Sequence, residues 1–142
     1  MRVLRYLLIL IIATIIYAGD VNKIKAEIIE NISMLYIKKH PIYIFIKSNY
    51  FNKTKKYLQK NYYFYIVNNC NKADICFVDS YPKNIKGKII FLTSYLSYLK
   101  NKNAAGAFFW QKGRPTIIFN KQFIINHHIK IPKEYEDFVE WI

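Results

Sequence analysis

Short apolar runs with no polar alternation constrain this chain most. Ile42-Tyr43-Ile44-Phe45-Ile46, residues 62–67, Ile75-Cys76-Phe77-Val78 and residues 88–92 are each about one strand long. A sheet with one face in water alternates apolar and polar residues. Unbroken runs are what strands show when both faces are covered, as in parallel sheets. Between the first two runs, Ser48-Asn49 offers a helix cap, and Phe51, Tyr57 and Leu58 form a modest helical stripe among lysines. Strand, helix, strand at these lengths predicts a βαβ unit with a right-handed crossover. The eight residues 80–87 read as a loop. A parallel crossover usually takes a dozen or more, so the direction of the fourth strand stays open.

Helices flank this region. Val21, Ile24, Ile28, Ile32 and Leu35 recur at spacings of three and four, which gives one apolar helical face. Asp20 can cap that helix, and His40-Pro41 ends it. Thr93 or Ser94 can cap a short helix bearing Tyr95, Leu96, Tyr98 and Leu99. Residues 105–110 and 116–119 flank Gln111-Lys112-Gly113-Arg114-Pro115, a hairpin signal in which Pro115 belongs at a strand start or on an edge. Asn120 can cap a helix through Phe123 and Ile124. Pro132 suits the start of a last helix whose apolar face is Tyr135, Phe138, Val139 and Ile142. The expected fold is a single-domain α/β mixed sheet with a βαβ unit, a C-terminal β-hairpin and flanking helices.

Residues 1–18 read as a signal peptide. Arg2 and Arg5 precede an uncharged stretch from Tyr6 to Ala18 that is too short to span a bilayer comfortably. An uncleaved membrane anchor is the alternative, because Ile16 stands where a small residue is usual. Either way the domain, residues 19–142, is expected in the periplasm. The chain carries +13, and +11 without the two signal arginines. Between Asn31 and Lys133 the only acids are Asp74 and Asp79. Such a field attracts anionic partners. Lys, Asn, Ile and Tyr all have A/T-rich codons, so genome composition alone can generate much of this basicity. Export argues against a nucleic-acid partner.

No enzymatic chemistry is expected. There is no glycine-flanked nucleophile turn and no phosphate-cradling glycine loop. Asp74 and Asp79 bracket one strand at odd spacing, which sends them to opposite faces. His127 and His128 diverge by about 100° on a helix and have no ligand partner three or four positions away, and His40 reads as a helix-end residue, so neither a metal nor a cofactor is expected. The most pointed feature is the hairpin. Arg114 is the only arginine after the signal segment, and it sits with Trp110, Gln111 and Lys112. Its planar fork can hold a carboxylate or phosphate bidentately, which makes the four residues a candidate partner- or anion-contact tip. The plainer reading is a solvated turn with Trp110 packed inward. Cys70 and Cys76 are a second candidate, a redox pair. Exported cysteines can pair if their Cα atoms come within about 7 Å. An extended path from a turn at Cys70 to mid-strand Cys76 holds them farther apart, so the expectation is an unbridged pair with Cys76 a small buried apolar residue.

The order of these pieces resembles the YfiR-like periplasmic family. The residues that carry it are A-D-I-C-F-V (Ala73 to Val78), I-I-F-L-T-S-Y-L (Ile89 to Leu96), the glycine before the hairpin (Gly106 to Trp110) and I-I-F-N (Ile117 to Asn120) leading into a C-terminal helix. The likeness covers nearly all of residues 20–142. The family's characteristic strand cysteine would fall near Ala73, its doubled glycine is single here at Gly106, and its helix between the third and fourth strands is reduced to a loop. The resemblance implies a non-enzymatic regulator that contacts an inner-membrane sensor or diguanylate cyclase from the periplasmic side. Two alternatives come from the residues themselves. One is a basic module for anionic envelope lipid or polysaccharide. The other is a lone solute-binding lobe, which would place a pocket beside the sheet at the strand ends.

Overall fold

A computed structural model describes residues 21–142. The signal segment over residues 1–18 and the cap at Asp20 lie outside the described residues. The strands are β1 (Ile42–Lys47), β2 (Phe64–Val67), β3 (Ile75–Val78), β4 (Ile89–Leu92), β5 (Gly106–Gln111), β6 (Arg114–Asn120) and β7 (Val139–Glu140). They form one sheet in the order β2-β1-β3-β4-β5-β6-β7. The first five are parallel, and β6 and β7 run the other way. The helices are α1 (Val21–Tyr36), α2 (Lys55–Leu58), α3 (Tyr95–Leu99) and α4 (Lys121–Asn126), with 3-10 turns at Cys70–Lys72 and Lys133–Phe138. This is the expected single-domain mixed α/β fold. The fourth strand, open in direction, pairs parallel to β3. The stretch between them crosses without a helix, laying Tyr81 and Ile85 against the sheet.

Both faces of the sheet are covered, as the unbroken apolar runs require, and all four residues of β3 are buried. One core gathers Ile42, Ile44 and Ile46 of β1 with Ile75, Phe77, Phe91, Phe108 and Phe119 beneath α1, α2 and α4. The other gathers Cys76, Val78, Ile90, Leu92, Ala107 and Ile118 beneath α3, the Cys70–Lys72 turn and the loop after β3.

Helix α1 is rolled relative to its apolar pattern. Its deepest residues are Ala26, Ile29, Ile32, Ser33 and Tyr36, whereas Ile24 is 38% exposed and Ile28 and Leu35 are half-buried. The reason lies in two residues that hydropathy discounts. The Tyr36 ring wedges among Phe91, Phe119 and Phe123, with centroids 5.3, 6.3 and 6.1 Å away, and its hydroxyl donates to the Ala105 carbonyl. The Ser33 hydroxyl donates to the Ile29 carbonyl at 2.7 Å, so it is buried without an unmade hydrogen bond. The second helix shrinks to α2, and Phe51 instead drops from the preceding turn onto Phe108, 5.1 Å away.

The hairpin forms as expected through a two-residue turn. Lys112 and Gly113 both have positive φ, 49° and 74°, as the turn that matches strand twist requires. Pro115 pairs with Trp110, and β7 reaches β6 only at Phe119 and Asn120, so its missing N–H leaves no ladder bond unmade. Asn120 caps α4, accepting from the N–H groups of Gln122 and Phe123, and its amide donates to the carbonyls of Lys102 and Ala104. The C-terminus departs from expectation. The last apolar stretch is a 3-10 turn followed by β7, not a helix. Pairing Phe119 with Val139 and Asn120 with Glu140 covers the last two residues of the β6 edge.

The single glycine before the hairpin has a steric cause. A Cβ on Gly106 would overlap the Ile118 carbonyl oxygen and stand 2.7 Å from Phe91 Cε1. Gly106→Ala is therefore expected to lower stability by about 2 kcal/mol or more in urea unfolding. Gly113→Ala meets no neighbour and is expected to cost about 1 kcal/mol through its left-handed φ alone. Equal small losses would show that β4, β5 and β6 do not pack this closely.

Candidate binding site at the carboxyl end of the sheet

Because β1 to β5 are parallel, their carboxyl ends share one edge. The chain leaves β1 and β3 in opposite directions. From β1 it runs through α2 to β2, with Leu58 in the core beneath α1. From β2 it returns across β1 over the other face, with Cys70 and Ala73 in the second core. In open α/β sheets such a reversal leaves a crevice at the carboxyl ends. Here the crevice encloses about 930 Å³. Its wall is Phe45, Val67, Val78 and Ile85, and its rim carries Lys47, Ser48, Asn49, Asn52, Lys55, Asn68, Asn69, Asp79 and Ser80.

Among the described residues Asp79 is the only acid lining the crevice, and each of its oxygens accepts a hydrogen bond. One accepts from the Asn49 N–H at 3.2 Å and the other from the Thr93 hydroxyl. Asp74, at the opposite end of β3, accepts from the Tyr43 N–H at 2.9 Å and pairs with Lys39 at 2.8 Å. Among the described residues the one other ion pair is Lys23 with Glu27, at 4.0 Å on α1. The lysines around the crevice therefore have no carboxylate partner.

The cysteines overturn the sequence expectation. Cys70 and Cys76 form a disulfide with Cα atoms 5.8 Å apart. The path between them is not extended. β2 and β3 flank β1, so residues 68–74 must double back across it, and the Cys70–Lys72 turn brings Cys70 over β3. Asn69 starts that turn by accepting from the Asn71 N–H at 2.8 Å. Cys76 is buried as expected, but as half of a bridge.

The structure divides the hairpin cluster. Gln111, Lys112 and Arg114 are exposed, with Gln111 and Arg114 opposite each other at the turn. Trp110 is half-buried, and the Lys25 ammonium lies 5.2 Å from its ring. Lys25 also lies 5.4 Å from the Phe51 ring and donates to the Tyr50 carbonyl at 3.2 Å, and its partial burial lowers its pKa. Thus Trp110 packs inward through Lys25 onto the turn after β1, while Lys112 and Arg114 form a free cationic tip at the same end as the crevice. Lys25 was not legible as a site residue, because its partners depend on how α1 is rolled. Ser48-Asn49 after β1 was legible as a helix cap and the segment at Cys70 after β2 as a turn, neither as part of a site. Their convergence follows from strand order.

The histidines serve local structure. His127 stacks on Phe123 at 3.8 Å and its Nδ1 hydrogen-bonds the Phe123 carbonyl at 2.9 Å, while His40 packs against Tyr63 at 4.9 Å. Among the described residues no cluster of three metal-ligating side chains occurs, and no helix is long and apolar enough to cross a membrane. No protein-family model matches the chain, and no curated protein matches it.

Two outcomes are expected. A disulfide closing so short a loop stabilises by about 2 kcal/mol in the chain-entropy model, so Cys70→Ser/Cys76→Ser should lose about that much in urea unfolding and become insensitive to reductant. A variant as stable as the oxidised protein would show that the bridge does not hold the crossover. In the hairpin, Arg114→Ala should change stability by less than about 0.5 kcal/mol, whereas Trp110→Ala should cost more than about 1 kcal/mol. The reverse order would mean that the tip is packed and Trp110 is not.

Proposed function

We propose that this chain is a periplasmic, non-enzymatic binding domain, similar to the YfiR-like family, that docks on the extracytoplasmic part of a membrane sensor or cyclase and modulates its signalling. The observation that carries this reading is the cationic carboxyl end of the sheet. Lys112 and Arg114 are exposed there on a tight turn beside the half-buried Trp110, and neither is in an ion pair among the described residues. The partner surface this fits is acidic and peptidic, since Arg114 can hold a carboxylate with two parallel hydrogen bonds. The Cys70–Cys76 disulfide supports the location, because such bridges persist in oxidising compartments. Regulation requires different affinities for two states of the sensor, because equal affinity shifts nothing.

The test is a cross-linked pull-down with residues 19–142 as bait, detergent-solubilised native membranes as prey and a moderate-salt wash. One membrane sensor should be recovered, at a yield at least about tenfold lower with Lys112→Glu/Arg114→Glu, the change expected from losing a charge-assisted contact. Recovery of only heterogeneous, salt-labile anionic material would replace this reading with that of an envelope-binding module, since exposed charge is screened beyond about 10 Å at 0.1 M salt.

A further inference from the structure

We infer that the crevice between the carboxyl ends of β1 and β3 is a binding site for a small organic anion, a phosphate or carboxylate head on an uncharged, hydroxyl-bearing body. The inference rests on the crevice and not on the hairpin, so it stands or falls independently of the docking proposal.

The hydrogen-bond ledger of the crevice sets the sign of its ligand. Ser48 is 4% exposed, and its hydroxyl oxygen accepts from the Tyr50 N–H at 3.2 Å. Among the described residues no acceptor takes its proton. The Asn69 side-chain oxygen accepts from the Asn71 N–H, which leaves its amide N–H groups as donors. Each Asp79 oxygen accepts one hydrogen bond, from the Asn49 N–H and the Thr93 hydroxyl, which holds the carboxylate in place. Ser48 and Asn69 thus each have their oxygen engaged by a local N–H and keep donors to offer the crevice. Lys47 and Lys55 add two ammonium groups, neither in an ion pair among the described residues, against the single Asp79 carboxylate. A pocket rich in free donors and unpaired cations recognises anions. A cationic ligand would meet two ammonium groups against one carboxylate.

Size and shape narrow the class. About 930 Å³ lies within the range of sites that enclose small molecules. Two lysines match one or two negative charges. Phe45, Val67, Val78 and Ile85 give the body of the ligand an apolar wall, and Asn52, Asn68 and Ser80 can bond its hydroxyls. Cys70 lines the crevice too, so the disulfide holds one wall in place before a ligand arrives, which reduces the ordering cost of binding. The same chemistry occurs in a free metabolite and in a glycerol phosphate lipid headgroup.

The described domain closes its own two cores, so residues 19–142 are the material for the test. Glycerol 1-phosphate is titrated into the labelled protein by NMR, with glycerol as the uncharged control. Saturable shifts of the Ser48, Asn69 and Ser80 amides are expected, with a Kd between about 10 µM and 1 mM. Lys47→Gln/Lys55→Gln, with an unchanged unfolding midpoint, should weaken binding at least tenfold. Lys112→Glu/Arg114→Glu should leave it within about twofold, as expected for charges outside the site. Displacement of the probe by phosphatidylglycerol vesicles, and not by phosphatidylcholine vesicles, would support the site and name a lipid headgroup as its source. Retention of the probe would support it with a free metabolite as ligand. Equal binding of glycerol, no saturable shift up to about 10 mM, or a loss in the hairpin variant as large as in the crevice variant would overturn the inference.

Discussion

The structure depends on one crossing. β2 and β3 lie on opposite sides of β1, and only residues 68–74 are available to carry the chain from one to the other. A helix does not fit in that length. The chain passes directly over the sheet, folded by a 3-10 turn, with Cys70 and Ala73 pressed into the core and the disulfide fastening the turn to β3. The reversal of direction at β1 follows from the same crossing, and so does the crevice. Structural bridge and candidate site are thus two results of one topological demand.

The rest of the sheet is held by aromatic packing in the core beneath α1. Tyr36, Phe91 and Phe119 pack against one another, and Phe77 and Phe123 extend the group to β3 and α4. Gly106 lets β5 approach this group closely. Asn120 closes the far side, binding the start of α4 and the strand entry at Ala104 through one side chain whose acceptor and donor are both used. Loops bearing the cationic tip and the crevice therefore project from a scaffold fixed at several independent points.

Much of this was legible in the sequence. The unbroken runs foretold a doubly covered sheet, because only burial on both faces tolerates Ile75-Cys76-Phe77-Val78 without a polar residue. Asn120, Pro115 and the hairpin turn acted as local chemistry predicts. The failures share a cause. The roll of α1, the disulfide and the seventh strand are all decided by contacts distant in sequence. Tyr36 turns its helix because Phe119 and Phe123 lie beneath it. Cys70 meets Cys76 because β1 intervenes between their strands. The terminal Val139 and Glu140 leave a helical pattern because β6 offers an unpaired edge. For the site, the polar residues were visible as a helix cap after the first strand and a turn after the second, but their meeting required the strand order. The hairpin residues were visible as a group, but the separation of Trp110 from Arg114 required knowing where Lys25 reaches.

The two outer strands of the sheet carry a further consequence. β2 has four residues, so that border offers only a brief row of unpaired backbone groups, whereas β7 covers just Phe119 and Asn120 of β6, and the row it leaves from Arg114 to Ile118 is interrupted by Pro115. A long border of tyrosines and β-branched residues would template strand addition by a second molecule. Here Tyr65 stands exposed on such a border, yet the row ends before a second chain could gain many ladder bonds, and copies of a protein carrying this much positive charge repel one another on approach. The short β2, the proline on the β6 border and the shared positive charge all work against edge-to-edge association of a chain this rich in isoleucine and tyrosine.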